Sequence, residues 1–215
     1  MDPDFWRARW AEHKIGFHEG APNAFLQEHI DRLAEHHRVL VPMCGKSEDL
    51  AFLASRGHAV VGVELVETAV REFFADHGLE PAIERRGDHA IFTAGDVTLV
   101  AGDWFAATPA LVGPADAFYD RAALIAMPPQ RRPAYVAKLR ELCSGPGVAI
   151  TLDYADGAYA GPPFAVGDAE VRGYYRVELL DESSNRSGRI AELGIAAVER
   201  CYAIHGSQRN GPNGA

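Results

Sequence analysis

The sequence predicts an α/β fold: a mostly parallel central sheet, helices on both faces and an antiparallel last strand. Three observations predict it. Short apolar runs alternate along the chain with stretches of helical spacing. Capping and stop residues fall between them. The final two strand-like runs read as an antiparallel pair. Together these describe a Rossmann-like sheet, with residues 1–36 as a helical cover over its carboxyl edge.

The elements follow in order. Phe5, Trp6, Arg9, Trp10 and His13 have helical spacing and share an aromatic face. Residues 23–36 read as a second helix capped by Asn23. RVLVPM (38–43) is a short apolar run and a buried strand. Ser47 caps a helix that runs to Arg56 and stops at Gly57. HAVVGVE (58–64) is the second strand, and residues 64–78 form an amphipathic helix ending at Gly78. HAIFTA and VTLVAG flank Gly95-Asp96, a hairpin turn. ADAFYD (115–120) is a strand, Pro128-Pro129 open a helix to Cys143, and GPGVAITLDY (145–154) is a turn followed by a strand. GPPF (161–164) is a loop and residues 168–175 a short helix. RVELLDE (176–182) and GIAAVERCYAIH (194–205) are the last two strands.

Composition narrows the function. At 215 residues, 47% hydrophobic and 24% charged, the chain is an ordinary globular sequence read as a single domain over 1–205. Residues 206–215, rich in Gly and Asn, are expected to be a disordered tail. A net charge of −9 argues against nucleic-acid and anionic-membrane binding, both of which need a basic face. The three cysteines, Cys44, Cys143 and Cys201, lie far apart and none has metal-ligand spacing. No apolar leader or spanning run is visible, so a reducing cytoplasm is the expected compartment. A monomer acting on a small molecule is the expected state.

Ligands of open α/β sheets sit beyond the carboxyl ends of the strands, where the strand order reverses. Met43-Cys44-Gly45-Lys46 follows the first strand and falls there. Gly45 permits close approach of backbone to a ligand. Glu64 ends the second strand, nineteen positions after Gly45, the spacing of an acid that meets ribose hydroxyls. The turn is neither GxGxxG nor a P-loop, which argues against a pyrophosphate. A ribose-binding acid without a phosphate loop suits a nucleoside cofactor lacking phosphates, such as S-adenosylmethionine (SAM). The same residues also suit a plain core strand–helix–strand unit with a solvent-facing Glu64. Gly102-Asp103-Trp104-Phe105 follows a later strand and either flanks an adenine or forms a capped turn with a core aromatic. Asp120-Arg121 ends the strand ADAFY, where a ligand role is favoured.

Several blocks then point to one family. FWRARWAEHKIGFHEG, VPMCGKSEDLAFLASRGHAVVGVELVETAVREFF, GDWF, YDRAALIAMPPQRRPAY and ITLDY…GPPF closely resemble the thiopurine S-methyltransferase family, in order from about residue 5 to 165 and again near 185–204. The resemblance implies a Rossmann-like class I, SAM-dependent methyltransferase acting on sulfur, or in some members selenium or tellurium. It also implies roles. Trp6 and Trp10 match aromatics that cover SAM, although two tryptophans at this spacing are more often a packing stripe. Phe17 matches an aromatic between cofactor and acceptor. Met43 and Gly45 match the loop against the methionine moiety, Glu64 the ribose-binding acid and Leu65 its neighbour against adenine. Asp103 and Trp104 match positions flanking adenine. Arg121 matches an arginine near the methyl-transfer centre, and Arg189 a second arginine at the acceptor pocket. The family usually has Leu at the position of Met43, and a longer segment before the arginine motif than RVELLDESSNRSGR.

The expected activity is transfer of a methyl group from SAM to the sulfur of a small aromatic or heterocyclic thiol. Alternatives are selenium or tellurium species, thiocyanate or halide, a secondary-metabolite thiol, or a SAM-binding module without catalysis. Arg121 is expected to hold the acceptor anion, with Asp120 positioning Arg121 or taking a proton. His13, His18 and Glu19 lack the rest of a metal site, and no metal is expected. Cys44 reads as a packing residue. Lys46 either meets the SAM carboxylate or faces solvent, and the GPPF loop is expected to line the acceptor pocket.

Overall fold

The computed structural model describes residues 3–15, 18–185 and 188–206. Phe17 and nearly all of the expected tail lie outside that set. The elements are α1 (Pro3–Ala11), α2 (Ala24–Glu28), β1 (Arg38–Pro42), α3 (Glu48–Ser55), β2 (Ala59–Glu64), α4 (Glu67–Asp76), β3 (Ala82–Arg86), β4 (His89–Ala94), β5 (Val97–Ala101), α5 (Pro109–Val112), β6 (Ala117–Arg121), α6 (Arg132–Leu142), β7 (Gly147–Tyr154), α7 (Asp168–Tyr174), β8 (Val177–Ser184), α8 (Gly188–Glu192) and β9 (Ala197–Ile204).

Among the described residues the strands form one nine-stranded sheet, ordered β3-β4-β5-β2-β1-β6-β7-β9-β8. The middle five, β5 to β7, run parallel. An antiparallel pair flanks them on each side. Their apolar residues are buried on both faces, which is why β1 and β2 read as continuous hydrophobic runs. On one face β1, β2 and β5 meet α2, α3 and α4 through Phe25, Leu26, Leu50, Leu53, Phe73 and Phe74. On the other they meet α6 and α7 through Tyr135, Leu139 and Val171.

Local chemistry sets the boundaries. Asn23 caps α2 by accepting from the N–H of Phe25, and Ser47 caps α3 by accepting from the N–H of Asp49. The expected helix over 23–36 breaks at His29 and continues as a 3₁₀ turn, Ile30–Leu33. Helix α4 starts at Glu67 rather than residue 64, because Glu64 closes β2 and its carboxylate is engaged by the turn that follows. The β4–β5 hairpin turns at Gly95, whose φ of +55° suits a residue without Cβ.

Two differences from the sequence expectation bear on the site. Strand β3 was not foreseen: all five residues are exposed, and Ile83 is its one large apolar side chain, so no alternation of buried and polar positions marks it. It is held by pairing to β4, and its charges guard the sheet edge. Of the expected N-terminal cover, α1 lies at the carboxyl edge. By contrast, α2 and the 3₁₀ turn pack on a face of the sheet through Phe25, Leu26 and Leu33. Among the described residues no helix is long and apolar enough to cross a membrane.

Gly62, in the middle of β2, sets how closely the loop after β1 approaches. A Cβ there would lie 2.6 Å from Cys44 Sγ and 2.7 Å from Leu99 Cδ2. Gly62→Ala is expected to lower the unfolding free energy by about 1–3 kcal/mol through overpacking, read as a fall in the urea midpoint at unchanged slope.

Candidate active site

Strands β1, β2, β5 and β6 end on one edge, and the order reverses between β1 and β6. A cavity of about 290 Å³ opens there, lined from every one of their following loops. Two of these loops turn sharply through non-glycine residues in the left-handed region, Met43 (φ 46°) after β1 and Ala122 (φ 65°) after β6. Each costs of order 1–3 kcal/mol and persists because the surrounding packing holds it.

Glu64 is buried, not solvent-facing. Its Oε2 accepts from the N–H of Gly45 at 2.9 Å and its Oε1 from the N–H of Val66 at 2.8 Å. Burial pushes its pKa up, and the N–H groups of Val66, Gly45 and Leu65 oppose that rise. Cys44, next to it, is buried. Desolvation and the Glu64 charge push its thiol well above the ordinary value, which disfavours a nucleophilic thiolate. Lys46 turns to α4, 3.0 Å from both Glu72 and Asp76.

Above this loop α1 supplies Trp6 and Trp10. Trp10 is buried against Val66 and Ala69, with Leu65 and Ile15 alongside. Packing stripe and cavity lining are therefore one arrangement. After β5, Asp103 caps a 3₁₀ turn by accepting from the N–H of Phe105 at 3.0 Å. Trp104 is a core aromatic, its ring 5.7 Å from that of Tyr135. Both still line the cavity, as do Met43, Gly45 and Leu65.

Strand β6 separates two residues expected to act together. Successive side chains of a strand point to opposite faces. Asp120 lies on the α6 side, fully buried, accepting from Tyr135 Oη at 2.7 Å and the N–H of Leu124 at 3.2 Å. It does not line the cavity and does not contact Arg121. Arg121 lies on the other side with Tyr119. Its carboxylate partners are Glu19 at 2.7 Å and Asp49 at 3.7 Å, and its side chain is 12% exposed. The carboxylates beside Arg121 among the described residues are therefore Glu19 and Asp49, and not Asp120. Asp49 is itself fixed by the N–H of Asn23 at 2.7 Å and Tyr119 Oη at 3.0 Å.

The far wall comes from β7, the GPPF loop, α8 and β9, through Ile150, Leu152, Pro162, Pro163, Ile190 and Glu199. Arg189 lines the rim, half exposed and 3.5 Å from Glu192. Sequence reasoning missed Asp49 and Glu199 and weighed Glu19 only as a metal ligand. Asp49 reads as one of two acids in the first turn of α3, and nothing local tells which one faces inward. Glu199 sits in V-E-R-C-Y, where strand alternation alone could have put it on the face of Cys201. Among the described residues the one grouping of three possible metal ligands, Glu28, His29 and Asp181, lies away from the cavity.

A family model described as thiopurine S-methyltransferase (TPMT) matches residues 1–200. The chain belongs to the thiopurine S-methyltransferase family. A protein of that name from Pseudomonas fluorescens (strain Pf0-1) is 43% identical over 96% of this chain and 100% of its own length. One from Pseudomonas putida (strain F1) is 44% identical, covering 95% and 99%. Solved structures share the fold. They include the Burkholderia thailandensis 1,6-didemethyltoxoflavin-N1-methyltransferase with bound S-adenosylhomocysteine (SAH), at TM-score 0.62 and 16% identity, covering 94% of this chain and 87% of that one. A SAM-dependent methyltransferase from Anabaena variabilis has TM-score 0.60 and 15% identity, covering 94% of both chains.

This thiopurine S-methyltransferase family member is a SAM-dependent methyltransferase, and the cavity fits that cofactor. Each Glu64 oxygen accepts one backbone N–H and keeps a lone pair for a hydroxyl. Trp104 Nε1 is buried without a partner among the described residues. The cation of the β1 loop, Lys46, is already paired, so the loop offers no phosphate cradle.

Glu64→Gln puts an amide donor against one of two backbone N–H groups. SAH binding is expected to weaken about 10- to 100-fold, the worth of a charge-assisted hydrogen bond, read by isothermal titration. Asp120 gives a separate signature. Burial raises its carboxyl from 3.8 to about 6, against hydrogen bonds from Tyr135, Leu124 and Ala123. The folded state therefore holds this proton more tightly than the unfolded chain. That stabilisation is complete below about pH 4 and is lost as the pH rises through about 6. Relative to Asp120→Asn, the wild type is expected to lose up to about 3 kcal/mol between pH 4 and 7, read by denaturant unfolding of both proteins.

Proposed function

We propose that the protein transfers the methyl group of SAM to the sulfur of a small aromatic or heterocyclic thiol. The observation that carries this reading is the placement of Arg121. It is a mostly buried guanidinium on the cavity wall, beside an apolar surface of Ile125, Met127, Ile150, Leu152, Pro162 and Pro163. A flat apolar acceptor suits such a wall, and a permanent positive charge suits sulfur that gains negative character as its proton leaves. The family membership and the names of the Pseudomonas relatives support the same choice of atom.

When bound, SAM supplies an electrophilic methyl on a sulfonium whose leaving group departs neutral. The chain has to hold, align and dry the reactants. Glu64 is assigned to the ribose hydroxyls, Met43 and Gly45 to the methionine end, and Leu65, Asp103 and Trp104 to the adenine surroundings. Trp6 and Trp10 close the cavity from α1 and exclude water. Aromatic faces at that point also favour a cation. Arg121 is assigned to the acceptor, and Arg189 to the rim of its pocket. Phe17, assigned between cofactor and acceptor, lies outside the described residues.

The experiment is a methyl-transfer screen with labelled SAM against thiopurines, thiophenols, aliphatic thiols, selenite, tellurite, iodide and thiocyanate. Turnover of aromatic thiols above all others is expected. Turnover of an inorganic species alone would replace the sulfur reading, and SAH binding without any turnover would make the protein a binding module. Arg121→Ala is expected to lower kcat on an aromatic thiol by about 100-fold, as for loss of one electrostatic stabiliser, with SAH affinity within about threefold by titration. An equal loss of SAH affinity would move Arg121 to the cofactor.

A further inference from the structure

We propose that Glu199 takes the proton from a neutral thiol acceptor seated against Arg121. The assignment rests on the sulfur reading above and adds to it the ionisation state in which the acceptor arrives.

Strand register brings the two groups together. On one face of the sheet Arg121 of β6 pairs with Ile150 of β7, and Ile150 pairs with Cys201 of β9. Glu199 is two residues from Cys201 on β9, directly across from Leu152. Two-residue spacing keeps it on the same face. Arg200, between them, points to the opposite face, where it meets Asp153 at 2.7 Å and Glu182 at 3.1 Å. Arg121, Ile150, Leu152 and Glu199 are therefore neighbours, and all four line the cavity.

Charge completes the argument. Arg121 already carries Glu19 at 2.7 Å and Asp49 at 3.7 Å. With Glu199 nearby, one guanidinium faces three carboxylates. Glu19 and Asp49 have fixed partners. Glu199 accepts no hydrogen bond among the described residues and is only half buried, so it is the carboxylate left for a ligand. Asn185 Oδ1, also on this wall, is a second acceptor without a partner among the described residues. A buried guanidinium already set among three carboxylates disfavours an inorganic anion beside it, and an unpaired carboxylate suits a molecule that brings its own S–H or N–H. Burial and the charge of Glu19 raise the pKa of Glu199, and Arg121 pulls it down, so the group is a stronger base than a free surface carboxylate. Among the described residues, Glu19 before α2 and Arg121 on β6 are the charges that act on it, Leu152 on β7 and Ser183 on β8 pair with it across the sheet, and Asn185 after β8 and Arg189 on α8 line the same cavity.

The step balances. The thiol proton passes to the Glu199 carboxylate. The sulfur electron pair forms the new S–CH₃ bond as the S–CH₃ bond of the sulfonium breaks, and the pair from that bond stays on the departing thioether. Glu199 then returns its proton to water.

The test compares Glu199→Gln with the wild type on two thiols, benzyl thiol, neutral at pH 7, and pentafluorothiophenol, already ionised there. Loss of the proton acceptor is expected to cut kcat/KM for benzyl thiol by about 100-fold or more, while that for the thiophenolate is unchanged or raised because a repelling charge is gone. The rise of wild-type kcat/KM for benzyl thiol through one ionisation should vanish in the variant. Equal losses on both thiols, or no loss on either, overturn the assignment while leaving the sulfur reading in place. So does a wild type that turns over only the ionised thiol. A wild type inert towards both overturns the sulfur reading itself. SAH affinity and the melting temperature report folding of the variant. If Glu199→Gln fails to fold, Glu199→Asp, which withdraws the carboxylate, is expected to show the same selective loss.

Discussion

The carboxylate of Glu64, clamped between the N–H groups of Gly45 and Val66, is the contact on which the end of the cavity proposed for the cofactor depends. It joins the loop after β1 to the turn after β2 across the point where the strand order reverses. The loop it holds contains Met43 in a left-handed conformation, which costs energy and needs such an anchor. The turn it holds presents Leu65 and Val66, the floor on which Trp10 of α1 rests. One buried acid therefore orders two loops and, through them, the seat of the helical cover. Burying a charge is costly, and the N–H groups of Gly45 and Val66 aimed at it offset that cost. With one N–H on each oxygen, the carboxylate keeps lone pairs for the ribose hydroxyls proposed to meet it.

The end proposed for the acceptor is organised differently, by one cation among several carboxylates. Arg121 is nearly buried, so its charge has to be matched inside the protein. Glu19 and Asp49 do this from segments that are distant in the chain. Asp49 in turn ties α3, the cap of α2 and Tyr119 into a single network. The network explains why α2 packs on the face of the sheet: its cap residue, Asn23, is hydrogen-bonded to the acid that supports Arg121. Asp120 serves a parallel purpose on the opposite face, joining β6 to Tyr135 of α6 and to the turn at Leu124. Two adjacent charged residues thus brace opposite faces of one strand, and only one of them meets the cavity.

Much of the fold was legible in the sequence. Apolar runs with caps and glycine stops located β1, β2, α3, α4 and the β4–β5 hairpin, because each pattern reports burial or turn geometry at its own position. The exposed edge strand β3 carried no such pattern, since its order comes from backbone pairing with β4 rather than from its side chains. The break at His29 was equally silent.

For the site, the sequence by itself determined which residues stand at the carboxyl ends of the parallel strands: Gly45, Glu64, Asp103 and Arg121. A strand followed by a turn fixes that position whatever the rest of the chain does. Only the tertiary structure decided which charges face one another. Asp120 and Arg121 are neighbours in sequence, yet strand alternation sends them to opposite faces. Glu19, Asp49, Arg121 and Glu199 span nearly the whole chain, yet strand order and register bring them to one wall. Local pattern encodes the conformation of a segment. The pairing of distant strands encodes its company, and no short stretch of sequence contains that.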